Sequence, residues 1–205
     1  MIQKVYFKIN RRIDIFLRKR EIKKLALKSP CKIIVGSGGT DGDGWIPTEV
    51  FHLDLLKKSD WNNLFRTDSI DAILSEHVWE HLTESDGLIA IQNCYTFLKT
   101  NGYLRIAVPD GYHPSKDYID YVKPGGHGSG ADDHKVLYTH VTLSQLLESA
   151  GFSVKKLEYF DENGVFHFEE WDKETGMISR SSRYDERNLE NNLSYTSLII
   201  DGIKL

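Results

Sequence analysis

The chain has 205 residues, 40% of them hydrophobic and 11% aromatic, with 26 Lys or Arg against 30 Asp or Glu and a formal net charge of −4. That composition supplies a packed core and excludes a disordered acidic chain. No apolar run approaches the ~18 residues of a membrane span, and two cysteines, Cys31 and Cys94, exclude a disulfide scaffold and make a reduced, cytoplasmic setting the default.

The charge is uneven. Residues 1–28 hold ten Lys or Arg against Asp14 and Glu21, a segment of +8, so the rest of the chain carries −12. This arm reads as a helix: Tyr6, Ile9, Ile13 and Phe16 recur at three- and four-residue spacing among basic residues. Ser29-Pro30 ends it. Charges interrupt every apolar stretch, so it is no secretory signal. Three readings stay open for the arm: packing on the body, contact with an anionic membrane surface, or nucleic-acid binding, the last disfavoured by the acidic body.

Lys32 to Val35 reads as a buried strand running into Gly36-Ser37-Gly38-Gly39. Trp45 to Phe51, with Glu49, reads as a second strand, and Ile70 to Leu74 as a third leading into Ser75-Glu76-His77. A helix follows, capped by Asp86, with Leu88, Ile91, Tyr95 and Leu98 as its apolar stripe and Lys99 with Gly102 at its close. Tyr103 to Val108 reads as strand, stopped by Pro109. Gly111 to His140 reads as one long irregular loop rich in Gly, Pro, His and Asp. Thr142 caps a short helix, Leu143 to Ala150, closed by Gly151. Val154 to Phe160 and Tyr195 to Ile203 read as late strands, separated by a polar stretch, Asp172 to Asn192. Alternating strands and helices imply an α/β fold with a mostly parallel sheet.

Ligands of such a sheet bind beyond the carboxyl ends of its strands. The residues there are Gly36 to Gly39, Glu49, Ser75 to His77 and Pro109-Asp110. Glycines let a backbone approach a ligand closely, and a carboxylate accepts from both hydroxyls of a ribose. A glycine turn alone also serves purely steric ends.

Lys32 to Gly39, then Gly44-Trp45-Ile46, Glu49 and Leu53-Asp54-Leu55 resemble the cofactor half of class I S-adenosylmethionine-dependent methyltransferases. Asp71 to Leu82, with Ser75-Glu76-His77-Val78-Trp79-Glu80-His81, is similar to an S-E-H-V-x-E-H signature of a small bacterial, type 11-like branch of that superfamily, and Leu98 to Asp110 is similar to the branch's L-K-P-G-G-x-L-R-I-A-V-P-D segment. The resemblance covers residues 31 to 160. It implies a Rossmann-like fold with a late antiparallel strand for a methyltransferase-like domain (31–205) with a polar insertion over 161–192; the basic helical arm (1–30) lies outside the resemblance. The resemblance also implies S-adenosylmethionine as cofactor. Gly36, Ser37 and Gly38 would pass under its methionine and ribose, Glu49 would hold the ribose hydroxyls, Asp54 would lie near the adenine, and Glu76 and His77 would line the pocket. Asp54 otherwise reads as a helix cap or solvated turn. Two departures stand out. Only about ten residues separate Val35 from Ile46, so the usual first crossover helix must shrink to a turn, and Thr100-Asn101 replaces Pro-Gly.

His77-Val78-Trp79-Glu80-His81 also fits an inverted zinc-peptidase pattern, H-x-x-E-H. It follows a strand directly rather than sitting mid-helix, so His81 reads as packing or capping and no metal is expected. In the loop Gly125 to His134, a base or a polar-substrate site is the chemical reading, a solvated lid the plain one, and a metal site of His and Asp a third whose spacing matches no specific pattern. His113, His127, His134, His140, Asp132 and Asp133 are the candidates, with His134 or Asp133 as the base that takes an acceptor's proton. The tryptophans read as packing, except that Trp171 would wall an acceptor pocket. The resemblance thus implies methyl transfer to a small polar or glycan-like acceptor, with surface-polysaccharide synthesis as a setting the branch suggests. The alternative is a nucleoside-binding protein of the same fold that has lost transfer.

Overall fold

The computed structural model describes residues 2–188 and 193–205, and the side chains from residue 11 onward. The side chains of Tyr6 and Ile9 of the arm's apolar stripe, and residues 189–192 of the polar insertion, lie outside the described set. Helix α1 (Ile2–Leu25) precedes strands β1 (Lys32–Val35) and β2 (Trp45–Thr48). Helix α2 (Lys58–Leu64), strand β3 (Ile70–Glu76), helix α3 (Glu84–Phe97) and strand β4 (Leu98–Pro109) follow. The rest is α4 (Lys116–Val122), α5 (His140–Ser149), β5 (Ser153–Phe160), β6 (Phe166–Phe168) and β7 (Ser197–Ile203).

The strands form one seven-stranded sheet in the order β2-β1-β3-β4-β7-β5-β6. β1 pairs in parallel with β2 and β3, and β3 with β4, whereas β7 runs antiparallel between β4 and β5. A short second reversal, β6, pairs antiparallel with β5 at the far edge.

Burial on two faces explains why the strands read as apolar runs. One face carries Ile33, Ile73, Leu104, Ile106 and Ile200. It meets Ile22 of α1, Trp61 of α2, Ile91 and Phe97 of α3, and Leu143 and Leu147 of α5. The other face carries Ile34, Leu74, Ala107, Leu157 and Ile199, and it is covered by Trp171, Ile178 and Tyr184 of the polar insertion. A right-handed connection from β1 to β2 has to run over this second face, because the chain there moves across the sheet in the opposite sense to β3–α3–β4. Residues 36–44 contain turns and no helix, as the short spacing requires, and the insertion fills the place.

Residues 172–176 of the insertion are pinned down. Arg105 donates from Nε and Nη2 to the two carboxylate oxygens of Asp201, at 2.7 and 2.8 Å, and from Nη1 to the Gly176 carbonyl at 2.8 Å. Its guanidinium lies 5.1 Å from the Trp171 ring centroid. Gly176 has φ +118, and an added Cβ would stand 3.2 Å from Leu74, so glycine is what lets the backbone lie flat on the sheet.

Four expectations need correction. Thr83, not Asp86, caps α3; its hydroxyl accepts from the Asp86 backbone N–H at 3.2 Å, and the helix ends at Phe97, before Lys99. Thr139, not Thr142, caps α5, and Thr142 completes a capping box. The stretch 111–140 is not one loop, since Ser115 caps α4 inside it. Trp171 is buried and donates to Glu158 at 2.9 Å, so it belongs to the second core and does not line the cavity described below.

The arm docks through its end. Ile22 is fully buried, Lys19 lies 3.4 Å from Asp60, and Arg18 donates to the carbonyl of Pro47 on edge strand β2 at 3.1 Å. Ile13 and Phe16 of the predicted stripe stay exposed, as does Leu17, so the described part of the stripe does not pack on the body. Among the described residues, no helix is long and apolar enough to cross a membrane.

Candidate functional site

Consecutive connections leave β1 in opposite directions, which opens a crevice at the carboxyl ends of β1 and β3. A cavity of about 630 Å³ lies there. Its floor is Gly36, Ser37, Gly38, Glu76, His77 and Pro109, and its far wall includes Tyr121, His134, Arg180 and Tyr195.

The glycine turn is shaped on both sides. Gly36 has φ +60, and an added Cβ would meet a Val78 methyl at 2.6 Å, so the turn packs directly on the Ser75–His81 segment. Gly38 has φ +56 and nothing within 4 Å of a Cβ position, which leaves backbone open toward the cavity. Ser37 donates from Oγ to Glu49 Oε1 at 2.6 Å. This bond sets a carboxylate beside the turn at the end of β2.

His77 ends β3 with φ +55, a left-handed conformation uncommon outside glycine and concentrated at working sites. Its backbone N–H donates to the Ala107 carbonyl at 2.9 Å, and Nε2 lies 3.0 Å from Ser197 Oγ. Glu76 is engaged: its two oxygens accept from the backbone N–H groups of Ser179 and Arg180 at 3.0 and 2.8 Å. Glu76 therefore holds the insertion in place as a wall of the cavity.

Asp54 does not line the cavity. Its carboxylate accepts from the Leu56 N–H at 3.1 Å and pairs with Lys57 at 2.7 Å. Burial pushes its pKa up, but these two donors outweigh burial and hold it below the usual carboxylate range. Asp133 does not line the cavity either. It is exposed, and Lys135 at 2.5 Å holds its carboxyl below the usual range, which suits a poor base. His113 stacks on Tyr118, His140 faces Tyr112 and Tyr159, and His127 abuts Tyr121. Of the loop histidines named above, only His134 lines the cavity. Its Nδ1 lies 2.6 Å from the Val122 carbonyl, which can only accept, so Nδ1 carries the proton and Nε2 keeps a lone pair.

Sequence reasoning missed Arg180, Arg187 and Tyr195. Arg187 lies 3.4 Å over the Tyr195 ring and pairs with Asp185, while Arg180 stands 3.8 Å from Glu76. The arginines sit in a polar stretch more than a hundred residues from the glycine turn and Tyr195 just beyond it, with no motif to mark them.

No protein-family profile matches the sequence, and no curated protein matches it. Solved structures do. A SAM-dependent methyltransferase from Thermotoga maritima is 15% identical, matches over 100% of both chains and gives a TM-score of 0.51. An O-methyltransferase family protein from Burkholderia thailandensis is 9% identical, with 93% of this chain and 57% of that one covered, at a TM-score of 0.50. The chain has the Rossmann-like α/β fold of the class I S-adenosylmethionine-dependent methyltransferases.

Proposed function

We propose that this chain is a methyltransferase that takes its methyl group from S-adenosylmethionine and delivers it to a small polar, glycan-like acceptor. The observation that carries this reading is the Glu49 carboxylate accepting from Ser37 Oγ at 2.6 Å, with Ser37 itself lining the cavity of about 630 Å³ beside the glycine turn. A cavity of that size suits a ligand of nucleoside class. The cofactor, when bound, supplies an electrophilic methyl group on a sulfonium.

Gly36, Ser37 and Gly38 would hold its methionine and ribose portions, and the Glu49 carboxylate would accept from the ribose hydroxyls. His77 lines the pocket, and Glu76 acts through Ser179 and Arg180. The chain's main contribution is to hold two reactants in line. His134, its ring fixed by Val122, presents Nε2 as the basic nitrogen at the acceptor end. Asp133 supports His81 and not the acceptor. Arg180 and Arg187 favour an acceptor that carries a carboxylate or phosphate.

Calorimetry with S-adenosylmethionine and S-adenosylhomocysteine tests the reading. Both should bind, and Glu49→Ala should weaken binding about tenfold or more, the effect of losing a charged hydrogen-bond acceptor. No heat from either at about 1 mM overturns the reading. Binding with no turnover over a broad acceptor panel turns it into the non-catalytic alternative.

The exposed Ile13, Phe16 and Leu17, set among basic residues, support peripheral contact of the arm with anionic lipid.

A further inference from the structure

The geometry points to a divalent transition-metal site in the acceptor half of the cavity, built from Glu80, His81 and His134. One ligand atom of each of these residues lies within 4.8 Å of the others. All three line the cavity. The rings of His81 and His134 meet edge to face at 4.8 Å.

The second observation is Glu80 itself. It is 1% exposed, yet neither carboxylate oxygen has a hydrogen-bond partner among the described residues. His77 Nδ1 stands 2.9 Å from Oε1, at charge-pair distance, without a hydrogen bond to either oxygen. A buried carboxylate that accepts no hydrogen bond is costly, and a cation removes that cost.

The histidines are prepared for the same role. His134 donates Nδ1–H to the Val122 carbonyl, which fixes the tautomer and leaves Nε2 to ligate, the arrangement that commonly backs a metal-bound imidazole. The Asp133 carboxylate stands 3.5 Å from His81 Nδ1. One carboxylate and two imidazoles are a donor set for zinc, cobalt or iron(II), with a further position left open. Ligands on a common tetrahedral ion of this kind lie ~3.4 Å apart, so the side chains need to close by about 1 Å. The open position faces the cavity, where an oxygen of the acceptor would bind and become more acidic; with the ion bound, Nε2 is a ligand, and His134 serves as a base only in the metal-free chain.

Metal binding is independent of methyl transfer and is read without cofactor or acceptor. The full chain, stripped of any affinity tag and treated with chelator, is titrated with Co²⁺ and then Zn²⁺. The expected result is one equivalent bound, with visible Co²⁺ absorption displaced by Zn²⁺. Glu80→Gln and His134→Ala should each weaken Zn²⁺ binding about tenfold or more, and His167→Ala, which stacks on Tyr159 outside the site, should not. Thermal melts separate ligation from packing. Zn²⁺ should raise the Tm of the unsubstituted chain and leave that of Glu80→Gln unmoved, whereas without metal Glu80→Gln should melt at or above the unsubstituted chain. If Glu80→Gln fails to fold, the partly exposed His134→Ala decides. Absence of binding at about 100 μM Zn²⁺, or equal binding by the substituted chains, overturns the proposal.

Discussion

The two faces of the sheet solve the same problem by different means. On one, α1, α2, α3 and α5 bury large side chains such as Trp61, Phe97 and Leu147. On the other, a single irregular segment near residues 171–184 does the work with fewer apolar contacts and more polar fastenings: Arg105 to Asp201 and Gly176, Glu158 to Trp171, Ser182 and Thr196, Glu76 to Ser179 and Arg180. The helical face is a cover. The irregular face is a cover that continues into the wall of the cavity.

That difference is open to attack from both sides. Trp61→Ala on the helical face should cost about 3–5 kcal/mol, measured by urea denaturation, with loss of structure in one cooperative step. Arg105→Ala on the other face leaves Asp201 buried without its partner and should cost up to about 3–5 kcal/mol. Its signature should differ, with proteolysis inside 172–188 preceding global unfolding. Equal protection of that segment in both variants would erase the distinction.

A smaller effect is expected at the rim, where Asp110 accepts from the Tyr112 and Phe160 N–H groups and His113 stacks on Tyr118. Burial pushes the Asp110 pKa up to about 6 and pulls that of His113 down to about 4. A raised carboxyl withholds stability at neutral pH and returns it as pH falls from 6 toward 4. A lowered imidazole gives stability above 6.5 and loses it over a similar range. The two oppose each other. In Asp110→Asn only the histidine's loss remains, so Tm should drop more steeply from pH 6.5 to 4 than in the unsubstituted chain.

The smallest effect is at Phe16, 61% exposed. Phe16→Ser should change stability by no more than about 0.5 kcal/mol. It should nonetheless reduce co-sedimentation with vesicles rich in anionic lipid, and an unchanged pellet would remove the arm's membrane role.

The strands were legible because burial on both faces makes continuous apolar runs of Lys32–Val35, Ile70–Leu74 and Tyr103–Val108. Helix starts were displaced by three residues twice for one reason. Asp86 and Thr142 stand at the third helical position, where a polar side chain answers the true caps, Thr83 and Thr139. Helix α4 is too short for periodicity to reveal; Ser115 starts it, and Tyr118 anchors it by donating to the Thr196 carbonyl at 3.3 Å. Gly36, Ser37 and Gly38, which line the cavity, were legible because they follow a strand directly, and Glu49 reaches the turn through Ser37. His134 and Asp133 were indistinguishable, since adjacent residues differ only in which way a turn directs them. The grouping of His134 with Glu80 and His81 was hidden by a separation of more than fifty residues, which only the fold closes.

A sheet edge is an invitation to another strand. Here β6 is three residues long at one edge, and at the other β2 is four residues long, contains Pro47 and has its Pro47 carbonyl bonded by Arg18 of the arm. The arm's last turns are thus a guard against self-pairing as well as a packing element. Removing them would expose Ile22's seat in the core and an unguarded strand together, and the shortened chain should gather into aggregates that light scattering detects.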